Sequence, residues 1–183
     1  KISPEGELLL RSPGNMVGYF KEPEKTVETI VDGWLHTGDK ARIDEDGFVF
    51  ITGRVKDIFK TAKGKYVAPA PIENTFALFN GVEQCCLVGR GFAQTIMLAV
   101  MSDGIVRSEE LHLALQAHLQ EMNMTLEAHE RMSHLVLCEA PWSIENGLLT
   151  HTLKVLRDDV ESHHADSLQK AMAGDDSVYW EKS

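Results

Sequence analysis

Three short runs hold the residues whose types and spacing could do chemistry. The run GWLHTGD ends on Asp39, and ITGR ends on Arg54. If residues 34–43 and 48–54 pair as a hairpin, this carboxylate and guanidinium project from neighbouring strands toward one place. A carboxylate held there can accept two hydrogen bonds from a vicinal diol, and an arginine beside it can hold the same sugar or its phosphate. The same two residues also fit a cross-strand salt bridge, worth ~0 to 1 kcal/mol when exposed, and spacing alone favours that plainer arrangement. In KTAKGKYVAP, Gly64 stands between two lysines as a turn glycine. Its missing side chain lets another backbone, an extended ligand or a phosphate come close. A solvated hairpin tip, with lysines that keep an edge soluble, accounts for it equally well. In NGLLTHTLKV, the single cation Lys154 follows two threonines on an irregular extended stretch. Most such lysines are surface charges, yet a mobile loop is also the usual way to deliver one cation onto charge that develops in a transition state.

The elements that must position these runs fall into two parts. GELLLR at 6–11 reads as a strand, and SPGN follows it with turn chemistry. PEKTVETIVDG reads as a helix, opened by Pro23 and ended by Gly33. WLHTGDKARID and GFVFITGR are strands joined by a D-x-D-G hairpin turn. Past Arg54 a second hairpin turns at Lys63 and Gly64, and PAPIENTFALFN starts a helix with prolines in its first turn. VEQCCLV and QTIMLAVMS are apolar strands. From Ser108 an amphipathic helix is expected, capped by that serine, with Leu111, Leu115, Leu119 and Met122 on one stripe. EAHERMS reads as a second helical stretch, HLVLCEA as a strand and VESHHADSLQKAM as a closing helix. The boundary falls near residues 54–57, with an α+β second part.

Composition narrows the function classes. Of 183 residues, 43% are hydrophobic and 25% charged, as in a globular domain. No apolar run approaches the roughly 20 residues of a membrane span. A formal net charge of -10 argues against non-specific nucleic-acid binding, which makes the tight cluster of Arg54, Lys56, Lys60, Lys63 and Lys65 the more conspicuous. Three cysteines, two of them adjacent, match neither a disulfide framework nor a CxxC metal pair, and reduced thiols in a cytoplasm are expected. The eight histidines show no helical i, i+4 ligand pair, so no metal site is expected. The chain starts without Met, directly in strand-like sequence, and is expected to be a piece of something longer.

Taken in order, GYFKEPEKT, GWLHTGD, GRVKD, KGKYVAPAPIE and a threonine-rich loop with one lysine resemble the adenylate-forming (AMP-binding) superfamily, from about residue 5 to residue 157. That superfamily includes acyl-CoA synthetases, luciferases and peptide-synthetase adenylation domains. KTAKGKYVAPAPIE and LTHTLKVLR look most like its long-chain fatty acyl-CoA synthetases. The resemblance implies an α+β fold: residues 1–54 as the β-rich tail of a large N-terminal domain, 55–57 as a hinge, and 58–183 as a small mobile C-terminal domain. It implies an AMP-forming fatty-acid–CoA ligase, in which ATP and a carboxylic acid give an acyl-adenylate and coenzyme A then takes the acyl group. Asp39 and Arg54 would bind the ribose and phosphate side of ATP or AMP, and Ile51 would pack near the nucleoside. Lys56 occupies the hinge position, where many relatives have Asp. Gly64 and Lys65 would face the pantetheine tunnel of coenzyme A after the domain rotates. Lys154 would contact the substrate carboxylate and the α-phosphate during adenylation. Many members carry Gly directly before that lysine, in a P-x-T-x-x-G-K pattern; here Leu153 precedes it, and His151 stands between two threonines.

The triphosphate loop, the adenine-facing aromatic segment and the acyl pocket that such an enzyme needs are not found in these 183 residues, and Mg2+ would be bound mainly outside them. The expected partners are therefore small-molecule substrates and the missing N-terminal domain, with no nucleic acid. Any membrane association would come through peripheral contact made by the fatty acid substrate. A peptide-synthetase or luciferase-like relative, and a non-catalytic module that kept the fold, are the other readings.

Overall fold

The computed structural model describes residues 1–181, so the last two positions of the expected 58–183 domain lie outside the described residues. The chain divides into two compact units, Lys1–Ile58 and Phe59–Ser183.

The first unit is an antiparallel sheet built around one long strand. β1 (Glu7–Leu10), α1 (Pro23–Thr29), β2 (Ile30–Val31), β3 (Trp34–Ile43) and β4 (Val49–Arg54) follow in order. β3 pairs with β1, β2 and β4, and its later half carries β4 in a register that sets Asp39 opposite Arg54. The helix ends at Thr29, before the Gly33 that the sequence pattern suggests. Ile30 and Val31 are β-branched and pair with Leu35 and Trp34 instead. Asp32 and Gly33, at φ +50° and +76°, make the tight two-residue turn of that hairpin. The D-x-D-G turn forms as its residues predict, with the Asp44 carboxylate accepting from the amides of Asp46 and Phe48. Among the described residues of this unit only Leu9 and Ala41 are buried hydrophobics. Val49, Phe50 and Ile51 are all exposed, and because successive side chains alternate, both faces of β4 are open.

The second unit carries a core on each face of a four-stranded sheet. β5 (Phe59–Lys60) and β6 (Tyr66–Val67) form a short hairpin, and α2 (Pro69–Phe76) follows. β7 (Val82–Val88) and β8 (Thr95–Met101) are antiparallel. α3 (Glu109–Thr125) crosses to β9 (Met132–Cys138), and α4 (Arg157–His163) with α5 (Ala165–Ala173) crosses to β10 (Val178–Trp180). The strand order is β10-β9-β8-β7, with both crossover pairs parallel. Leu87, Met97, Leu135 and Leu137 pack with Ile72, Phe76, Leu115 and Leu119 from α2 and α3 on one side. Cys86, Leu98, Val136 and Cys138 pack with Val160, Leu168 and Trp142 on the other. Strands buried on both faces read as continuous apolar runs.

Ser108 caps α3 by accepting the Leu111 amide, and Leu115, Leu119 and Met122 are buried as the stripe predicts. Three features of the second unit differ from the sequence expectations. EAHERMS is a turn leading into β9, because Leu126 is extended and the Asn123 side chain takes both backbone groups of Met132. The closing helix is broken at His164, whose ring is fixed by partners on either side. β10, a short strand beyond that helix, went unrecognised because SVYW has no period long enough to read.

Candidate functional site

In the first unit the candidate residues converge on β3 and β4. The Asp39 carboxylate lies 3.3 Å from Arg54 Nε, and both side chains are partly exposed. The contact uses one carboxylate oxygen, Oδ1. Gly38 is favoured beside them by its backbone, and a side chain there would crowd the arginine. Its φ is +73°, and a Cβ there would stand 3.3 Å from an Arg54 amino group. The Gly38 amide is also held, donating to Glu7 Oε1 at 2.8 Å, while the other Glu7 oxygen lies 2.8 Å from His36 Nδ1. The Thr37 hydroxyl donates to Leu8 O and accepts from the Asp39 amide. The irregular segment of β3 that presents Asp39 is therefore tied to β1 by side chains.

Glu7, which the sequence reading missed, holds the segment that presents Asp39. The available signal was an acid at the head of the apolar run ELLL, where a buried strand should not carry one without a partner. Glu7, Tyr19, Lys25, His36, Arg54 and Lys56 contribute to one open cleft of about 860 Å³. Ile51 lies opposite Ala41 on the same strand pair, 57% exposed. Lys56 follows Arg54 in a turn closed by the Asp57 amide donating to Arg54 O, and the Val55 amide donates to Gly38 O. The unit boundary comes two residues beyond Lys56.

The second unit holds the remaining candidates. Gly64, at φ +77°, turns the β5–β6 hairpin, with the Thr61 amide donating to Lys65 O. Lys63 and Lys65 are exposed. The hairpin stands on Phe59 and Val67, both buried against α2. Lys154 sits on a small loop closed by an isolated bridge between Leu149 and Val155. The Thr150 amide donates to Lys154 O at 2.8 Å, and the Lys154 amide donates to the Thr150 hydroxyl at 3.1 Å. Leu148 and Leu149 root the loop in the core, while Lys154 itself is exposed. Leu153 has φ +59°, the left-handed region that favours glycine. Asp39, Arg54 and Lys56 thus belong to the first unit and Gly64, Lys65 and Lys154 to the second.

Two chains of hydrogen bonds, one buried and one partly exposed, hold β10 and have donor geometry that fixes their tautomers. Trp142 Nε1–H can only donate, so His164 Nε2 accepts and the ring proton sits on Nδ1, 2.6 Å from Glu181 Oε1. Trp180 Nε1–H donates to His112 Nδ1 in the same way, leaving Nε2–H for Asp176 at 3.1 Å. Burial pushes the Glu181 carboxyl up, but hydrogen bonds from His164, Ser167 and the Glu139 amide outweigh it and hold it at about 2. Cys138, His164 and Glu181 are close enough to resemble a metal cluster. Both imidazole nitrogens, however, are committed to Trp142 and Glu181. Burial pushes all three thiols up, Cys85 to about 12, so they are not nucleophiles at neutral pH.

Comparison with known proteins gives one consistent picture. The family model for the AMP-binding enzyme C-terminal domain matches residues 39–176. Long-chain-fatty-acid–CoA ligase 5 of Rattus norvegicus is 35% identical over 177 residues, covering 85% of this chain and 26% of the relative. A fatty acid–[acyl-carrier-protein] ligase of Streptomyces coeruleorubidus is 50% identical over 84 residues, covering 46% of this chain and 16% of the relative. Among solved structures, the adenylation domain of a carboxylate reductase from Mycobacterium chelonae superposes with a TM-score of 0.77 at 25% identity, covering 92% of this chain and 28% of that one. The chain spans about a quarter of the length of the long-chain ligases it matches.

Proposed function

The chain belongs to the AMP-binding enzyme C-terminal domain family, and from that premise we propose that it is the C-terminal part of an AMP-forming acyl-CoA synthetase acting on a long-chain fatty acid. The observation that carries this reading is the Asp39–Arg54 pair, half-open on adjacent strands, beside a positive-φ glycine of β3 held by Glu7. Such a pair fits a ribose: the carboxylate accepts from two hydroxyls while the guanidinium stays within reach of the phosphate. Ile51, exposed on the neighbouring strand position, offers an apolar wall to the nucleoside. The uncovered faces of β4 support a further, larger domain that completes this unit and supplies the triphosphate, Mg2+ and acyl sites.

A carboxylic acid has a poor leaving group, and forming a mixed anhydride with AMP supplies one. Lys154 meets the negative charge that develops between the acid and the α-phosphate, from a loop whose backbone is already bonded in place. Loss of one preorganised donor costs about 10²- to 10³-fold in rate. In the second step the thiolate of coenzyme A attacks the acyl carbonyl and releases AMP. Rotation about Lys56 and Asp57 withdraws Lys154 and brings the Gly64–Lys65 turn to the pantetheine arm. Gly64 leaves room for that arm, and Lys65 adds a positive charge beside a phosphate-bearing ligand.

Lys154→Ala in the chain joined to its large domain tests this assignment. ATP–pyrophosphate exchange should fall about 10²- to 10³-fold, while thioester formation from preformed acyl-adenylate stays within a few-fold. Unchanged exchange would reject the role of Lys154. The 183-residue chain alone should form no acyl-CoA from ATP, acid and coenzyme A, and turnover by it would sink the fragment reading. The match to a carrier-protein ligase favours one second reading, in which the acceptor thiol is the phosphopantetheine of a carrier protein. Offering both thiols to the acyl-adenylate form decides the acceptor by which one is acylated.

A further inference from the structure

The two loops assigned to the two half-reactions share one footing on the edge of the second sheet. β7 is the outer strand of that sheet, and both backbone groups of Leu87 are taken by side chains rather than by another strand. The Leu87 amide donates to Glu73 Oε1 at 2.6 Å, and Arg157 Nη1 donates to Leu87 O at 2.5 Å. Arg157 also grips Glu73 through both amino groups, Nη1 to Oε1 at 2.5 Å and Nη2 to Oε2 at 3.2 Å, and reaches Cys86 Sγ at 3.2 Å. The two side chains are only 17% and 16% exposed.

Their places in the chain give the pair its meaning. Glu73 lies in α2, directly beyond the hairpin that carries Gly64 and Lys65, and that hairpin packs on α2 through Phe59, Val67, Ile72 and Phe76. Arg157 is the first residue of α4, directly after the loop that carries Lys154, and that loop packs beside Val160 of α4 through Leu148 and Leu149. A bidentate pair fixes orientation as well as distance. A buried ion pair gives little net stability over an apolar replacement, so stability alone is a weak account of why it stands here.

We infer that Glu73 and Arg157 are positioning residues for both half-reactions, a brace that holds the Gly64 turn and the Lys154 loop at a fixed spacing on one rigid body. This rests on the proposed function: rotation of the unit exchanges one loop for the other at the nucleotide without any repacking inside it. The brace makes the two loops mechanically dependent on each other although neither touches the other in sequence.

Hydrogen exchange on the 183-residue chain tests the brace without any activity. Arg157→Lys keeps the charge and removes the planar two-pronged grip. It should melt within a few degrees of the parent, yet speed exchange about tenfold in both 61–65 and 148–156, leaving β8 and β9 unchanged. Parent-like protection in either loop overturns the shared footing. Glu73→Leu with Arg157→Met removes both buried charges together, so it gives the same readout if the single variant does not fold. Both loops should again exchange faster, and parent-like protection overturns the inference. With the large domain present, Arg157→Lys should slow adenylation and thioester formation alike, about ten- to a hundredfold, with the KM for ATP little changed. Slowing of one half-reaction alone also overturns it. Unchanged pyrophosphate exchange in Lys154→Ala rejects the functional assignment separately, and the exchange protection result then stands or falls by itself.

Discussion

Asp39–Arg54 and Glu73–Arg157 are the same chemical pair in opposite settings. The first touches through one oxygen and one nitrogen, at 3.3 Å, with both side chains partly in water. The second is bidentate, mostly buried and completed by the backbone of Leu87. The surroundings differ in the same sense: β4 is open on both faces, whereas the strands of the second sheet are covered on both. An acid and an arginine left half-open keep hydrogen-bonding capacity for a ligand. The same two groups enclosed have spent that capacity on position. Composition cannot tell a binding pair from a brace, and enclosure does.

The comparison breaks most readily at the arginines. Arg157→Ala strands the Glu73 carboxylate in the interior and should cost ~3 to 5 kcal/mol in urea unfolding, whereas Arg54→Ala should cost no more than ~1 kcal/mol. Equal losses would mean that the two settings are not energetically different. Apolar truncation should follow the same division. Leu135→Ala, from the middle of β9, should cost ~2 to 5 kcal/mol, and Ile51→Ala should stay within ~0.5 kcal/mol.

Acid titration sharpens the contrast further. Glu181 has its folded-state carboxyl held at about 2 against an ordinary 4.5. The ionised form is thus favoured by folding, and its contribution is fully present above pH 4.5 and is lost as pH falls toward 2. Glu181→Gln should flatten the fall in thermal melting temperature across that window, and an unaltered slope would remove Glu181 as its source. The smallest effect belongs to the lysine loop. Leu153 bears a left-handed backbone cost of ~1 kcal/mol, but glycine also loosens the unfolded chain by a similar ~0.5 to 1 kcal/mol. Leu153→Gly should therefore shift stability by less than ~0.5 kcal/mol, while Leu153→Val should lower it by more.

Much of this was legible because it is local. Asp44 and Gly47 dictate their turn, Ser108 its cap, and the Leu115, Leu119 and Met122 stripe its helix, since each depends on neighbours within a few residues. The hairpin that sets Asp39 across from Arg54 follows from two alternating runs and that turn. What escaped reading depends on contacts distant in sequence. Glu7 acquires its role only when β1 lies against β3, and EAHERMS loses its helix to the Asn123 side chain. His164 breaks the closing helix because Trp142 and Glu181 arrive from elsewhere.

The order of its motifs carries a resemblance to the adenylate-forming superfamily, and the sequence by itself also determined the mixed α+β class and the two sheet-bearing parts. Those are properties of periodicity, turn chemistry and spacing, which the chain carries whether folded or not. Tertiary structure alone decided that Glu7 meets His36 and the Gly38 amide, which of two like acid–arginine pairs is enclosed, and that Glu73 and Arg157 join two loops far apart in the chain. Burial and orientation arise only when distant segments pack, and the strength of every polar contact here depends on them.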